Sequence, residues 1–111
     1  MNKHLHVSKT ALTVFDYLTR FIQDPSYLLK GYAGGPELTK TDISELTGFS
    51  IGYTRKLLNS LCVAGYLGYV EIGHTVKLQI NPNKYVNPEI APSDFVVSLY
   101  LLHERQSSEV E

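Results

Sequence analysis

The stretch TKTDISELTGFSIGYTRKLLNSLCVAGYL, residues 39–67, decides how the rest of the chain is read. Its pattern predicts two short helices joined by a tight turn. Thr41 is placed to cap the first, with Glu45 supporting the first turn. Ile43 and Leu46, three apart, give that helix one apolar face. Gly48 follows the last periodic residue and supplies the left-handed backbone that stops a helix. Ser50 is the next cap. Behind it Thr54, Leu57, Leu58 and Leu61 recur at helical spacing as the inward side, and Gly65 closes the second helix.

Two helices joined through a short glycine turn form a helix-turn-helix, whose second helix can enter a DNA major groove. The same residues carry a family likeness. Gly48-Phe49-Ser50 resembles the Gly-hydrophobic-Ser turn of the winged helix-turn-helix DNA-binding superfamily, which includes MarR- and ArsR-like regulators. Tyr53-Thr54-Arg55-Lys56-Leu57-Leu58, then Leu61 and Gly65-Tyr66-Leu67, resembles that superfamily's recognition helix and its exit into the wing. The resemblance covers residues 8–86. It implies a mainly α fold with a small β-hairpin (α+β), in the order α-(β)-α-α-β-β-α. Ile51 and Gly52 depart from the pattern, standing where members often present polar, base-reading side chains. Tyr53 and Thr54 stand where a Thr-Val pair is common.

Length and composition bound the possibilities. A chain of 111 residues is one domain's worth, near the size where small domains gain from a partner. No apolar run approaches the roughly 18 residues that span a bilayer. The start, MNKHLHVSK, lacks the uninterrupted apolar segment of a signal peptide, and one cysteine makes no internal disulfide. These features predict a cytoplasmic protein without membrane contact. The net charge of −1 is unevenly spread. Residues 1–84 hold nine Lys and Arg against six acids (+3), whereas residues 85–111 hold one against five (−4). A basic body with an acidic end suits DNA binding on one side.

Ser8 to Gln23 reads as the first helix, capped by Ser8, with Ala11, Phe15, Leu18 and Ile22 as its stripe, widened by Leu12, Val14 and Phe21. Asp24-Pro25 ends it. Ser26 to Lys30 is expected to make a short helical turn and Gly31 to Pro36 a loop. The family likeness implies a brief strand at Leu38 pairing with the wing.

After Gly65 the period becomes alternating. Tyr66–Ile72 and Thr75–Ile80 read as strands joined by Gly73-His74, a pair suited to a two-residue hairpin turn. Hydropathy places Val70, Ile72, Val76, Leu78 and Ile80 on one face and Tyr69, Glu71, Thr75, Lys77 and Gln79 on the other. Leu78-Gln79-Ile80-Asn81-Pro82 also resembles the Ile-Asn-Pro strand end of winged-helix replication initiators of plasmids and phages.

Ser93 caps a last helix, predicted to run to about Gln106, with Asp94 at its positive end. Phe95, Val96, Val97, Leu99, Tyr100, Leu101 and Leu102 cover nearly its whole circumference, more than a small domain can bury alone. A homodimer through Phe95, Val96, Leu99, Tyr100 and Leu102 follows, and would set two motif helices about 34 Å apart. The expected organisation is a flexible start (1–7), a winged domain (8–86), a linker and dimerisation helix (87–106) and an acidic tail (107–111).

The candidate DNA contacts are Lys40, Ser50, Gly52, Tyr53, Arg55, Lys56, His74 and Lys77. Cations on the motif's second helix reach phosphates or guanine edges, and Ser50 can donate to a phosphate beside the helix N-terminus. Tyr53 serves as a groove contact or packs partly. His74 and Lys77 put the hairpin tip near a flanking groove. Cys62 reads as a small buried hydrophobe. The four histidines form no metal-site spacing, and no phosphate loop or nucleophile-base pair is present, so neither metal, cofactor nor enzyme activity is expected. The sequence thus points to a homodimeric regulator of transcription bound to double-stranded DNA. A plasmid or phage replication or partition protein is the alternative within that class. A winged-helix protein-interaction module, suggested by apolar Ile51 and Gly52 and near-neutral charge, is the alternative outside it.

Overall fold

The computed structural model describes residues 7–31, 38–73 and 75–110. Four α-helices and a two-stranded antiparallel hairpin make a mixed α+β fold. The order is α1 (Lys9–Leu18), α2 (Lys40–Thr47), α3 (Ile51–Val63), β1 (Leu67–Ile72), β2 (Thr75–Ile80) and α4 (Asp94–Val110). Most of the expected mobile start and 31–36 loop lies outside the described residues, as does His74. No helix among the described residues is long and apolar enough to cross a membrane.

Ser8 caps α1 by accepting the Ala11 N–H, and Ala11, Val14, Phe15 and Leu18 are buried. The helix is shorter than its apolar stripe predicts. After Leu18 the chain tightens into a 3-10 turn, Thr19–Phe21, and Ile22 turns extended to bridge Leu29. Residues 26–30 correct the expectation of a helical turn. The Asp24 carboxylate accepts the Ser26 N–H at 2.9 Å, an Asx-type turn, and Tyr27 takes φ +60. The chain then runs along the free edge of β2: the Leu29 N–H donates to the Leu78 carbonyl, and that of Ile80 to Tyr27. Leu38 was expected to pair with the hairpin, but its N–H goes to the Leu29 carbonyl instead. The β2 edge was already taken.

Thr39, not Thr41, caps α2. Its hydroxyl accepts the Asp42 N–H while the Asp42 carboxylate accepts the Thr39 N–H, a complete capping box. Ile43 is fully buried but Leu46 is 48% exposed, so the apolar face of α2 is one residue wide. Gly48 has φ +82, a left-handed stop that a side chain would strain. Ser44 Oγ donates to the Phe49 carbonyl, and the Ser50 hydroxyl accepts the Tyr53 N–H to start α3. Thr54, Leu57, Leu58 and Leu61 are buried. Gly65, at φ +85, ends α3 in a Schellman arrangement: its N–H bonds Cys62, and that of Tyr66 bonds Leu61.

The hairpin register sets Leu67 opposite Ile80, Tyr69 opposite Leu78, and Glu71 opposite Val76. Opposed residues share a face. A two-residue turn therefore puts Leu67 and Tyr69 with Leu78 and Ile80, while positions 68, 70 and 72 fall on the other side with Gln79, Lys77 and Thr75. This corrects the grouping of Val70 and Ile72 with Val76, Leu78 and Ile80. Leu67, Leu78 and Ile80 enter the core with the α1 stripe, Ile43 and the α3 leucines, whereas Val76 is 59% exposed. Gln79, expected outside, is buried, and its Nε2 donates to the Ser26 carbonyl at 2.8 Å.

The Ser93 hydroxyl accepts the Val96 N–H to open α4, which continues to Val110, past the expected end at Gln106. The helix root is tied down: the Ser93 N–H donates to the Pro25 carbonyl. Buried Tyr27 donates its hydroxyl to the Ile90 carbonyl at 2.5 Å and accepts the Asn87 N–H at 3.0 Å. Val96 and Tyr100 are buried within the chain itself, Tyr100 directly over Gly68 of β1. They are thereby spent internally rather than offered to a partner. Phe95 (75% exposed), Leu101 and Leu102 are not covered, and Leu99 is half-buried.

Candidate nucleic-acid interface

The outward side of α3 follows from its inward one. With Thr54, Leu57, Leu58 and Leu61 turned to the core, the 3.6-residue period leaves Ile51, Gly52, Tyr53, Arg55, Lys56 and Asn59 exposed. At 13 residues the helix is about 20 Å long. Beside it opens a cleft of about 620 Å³ lined by Lys40, Gly52, Tyr53, Arg55, Lys56, Asn59 and Tyr69. No acid among the described residues lines it. Three elements build it: α2 contributes Lys40 at its first position, α3 the long wall, and β1 the ring of Tyr69.

Arg55 and Lys56 are exposed, and neither forms an ion pair with any described residue. Both keep their charge available to an outside anion. Tyr53 is 41% exposed and packs edge-on against Phe49, with ring centroids 5.1 Å apart. Its ring is thus partly braced by the α2–α3 turn and partly presented. Lys40 Nζ stands over the Tyr69 ring, 5.1 Å from its centroid. The Tyr69 hydroxyl in turn neighbours the side chain of Cys62 on α3. Burial, reinforced by that neighbour, pushes the Tyr69 hydroxyl up to about 12. Burial likewise raises the Cys62 thiol, against the smaller opposing effects of the Tyr69 hydroxyl and the Lys40 charge. Cys62 is partly buried and packs against the core, where a raised thiol is held in its neutral form.

Of the eight expected contacts, Lys40, Gly52, Tyr53, Arg55 and Lys56 meet in the cleft. Ser50 is an exposed cap that does not line it. Lys77 stands opposite Val70, on the far side of the hairpin from Tyr69, so the fold does not bring it to the cleft. His74 lies outside the described residues. Two lining residues were missed. Asn59 follows Gly52 at i+7, Arg55 at i+4 and Lys56 at i+3, so helical period alone marks it. Tyr69 required the correct hairpin face. Compared with protein-family models, curated proteins and solved structures, the chain finds no match in any of the three.

Proposed function

We propose that this chain is a winged helix-turn-helix protein that binds double-stranded DNA as a homodimer and regulates transcription by occupying an operator. One observation carries the proposal: Arg55 and Lys56 face outward from α3, unpaired among the described residues, in a cleft that Lys40 shares and that no described acid lines. A helix of this kind fits a major groove about 12 Å wide. Arg55, Lys56, Tyr53 and Asn59 would face base edges and phosphates, with Lys40 on the backbone. The hairpin is the wing.

The dimer part rests on α4. Phe95, Leu99 and Leu102 are spaced i, i+4, i+7 along one stripe, two of them more than half exposed. A second copy of the same stripe would cover it by two-fold symmetry.

The test is duplex binding as a function of salt, followed by selection of bound fragments from random DNA. The expected log–log slope is steep, about 0.9 per phosphate contacted, and the selected sites are palindromic. Removing Arg55 or Lys56 as alanine should flatten the slope by about one contact each. Binding that is absent or indifferent to salt would reject the proposal in favour of a protein-interaction module.

A further inference from the structure

Lys40 and Tyr69 come from different elements, yet they meet where the α3 cleft adjoins a second hollow lined by Leu38, Thr39, Asn59, Val76 and Leu78. Lysine has a long, freely rotating stem, so an ammonium at a helix start is ordinarily spread over many rotamers. Here it is gathered onto one aromatic face. That face is itself placed by the strand, because Tyr69 is paired in its backbone with Leu78 and its hydroxyl neighbours Cys62 of α3. The ring is 42% exposed, so Lys40 rests on it without being shut away from an incoming anion.

We propose that Tyr69 is a positioning residue: its ring holds the Lys40 ammonium between α3 and the hairpin, poised for a phosphodiester oxygen of bound nucleic acid. The inference rests on the duplex-binding proposal above. A cation held in place loses less conformational freedom when it meets its phosphate. Tyr69 then contributes through Lys40 rather than by direct contact, so the two side chains act as one unit. Phenylalanine keeps the face that Lys40 needs, and leucine removes it. Arginine in place of Lys40 keeps the cation and can lie on the same ring.

The experiment has two independent readouts on the full chain. In the free protein, the Lys40 ε-methylene protons should be shifted upfield by the ring in wild type and Tyr69→Phe, and return to ordinary lysine positions in Tyr69→Leu. On a selected duplex, Tyr69→Leu should lower the salt slope by about 0.9, as Lys40→Met does. Tyr69→Leu combined with Lys40→Met should lower it no further, and Tyr69→Phe and Lys40→Arg should keep the wild-type slope. Far-ultraviolet circular dichroism would show that each variant is folded, with Tyr69→Met replacing Tyr69→Leu if the latter is not. An unshifted Lys40 in wild type, or a steep slope unchanged by losing the ring, overturns the positioning role alone. A wild-type slope near zero overturns duplex binding and this role together.

Discussion

Tyr100 of α4 lies so close over Gly68 of β1 that no β-carbon fits between them. One built on Gly68 would collide with the Tyr100 hydroxyl and stand 3.0 Å from the ring carbon that bears it. Gly68 is needed here for space and not for backbone freedom. The back of the hairpin is thus shaped to seat α4, while its front, with Leu67, Leu78 and Ile80, closes the core.

Gly68→Ala should therefore unseat α4 or bend the hairpin, at roughly 1–3 kcal/mol. Chemical unfolding would measure the loss. Combining it with Tyr100→Phe, which removes the atom in closest conflict, should return part of it. A Gly68→Ala protein as stable as wild type would show that α4 is not seated there.

Thr54 is 2% exposed, and its hydroxyl finds no hydrogen-bond partner among the described residues. Thr54→Val keeps the shape and removes the unpaired group, so stability should rise by about 1 kcal/mol. DNA affinity should not change, because the side chain points away from the cleft. A measured destabilisation would mean that the hydroxyl is bonded after all.

Tyr27 joins the 26–30 arm to the segment that leads into α4. Tyr27→Phe leaves the Ile90 carbonyl and the Asn87 N–H without their partner, costing about 1–3 kcal/mol. Hydrogen exchange at the Asn87 amide should quicken more than at amides in the middle of α3. Equal protection in both proteins would contradict this account.

Phe95→Asp places a charge at a site that is 75% exposed, so the monomer fold should lose no more than about 0.5 kcal/mol. Sedimentation should nevertheless show dimers becoming monomers, with duplex affinity falling alongside. Wild-type chains that sediment as monomers would end the dimer proposal.

Local signals carried most of the helical architecture. Gly48, Ser50 and Gly65 act through their own backbones and nearest turns, so their roles were plain from spacing alone. The α2 cap lay two residues before Thr41, the one its sequence suggested: Asp42, three residues after Thr39, closes a capping box with Thr39 that Thr41 does not have. The hairpin faces were misjudged because hydropathy grouped Val70 with Leu78, although a two-residue turn forbids that parity. The 26–30 arm was invisible for a different reason. Its bonds go to β2, about fifty residues away, and Tyr27 takes a positive φ that its residue type does not advertise. In the cleft, residues sharing α3 were found together, but Tyr69 depended on strand register.

The buried phenol of Tyr27 works as a rivet between chain segments sixty residues apart. The same short arm is bonded to the hairpin through Tyr27 and Leu29 and to the root of α4 through Pro25 and Ser93, so strand and helix start share one tether. A change made in that arm is therefore felt in two places at once, at the outer strand of the hairpin and at the first turn of α4.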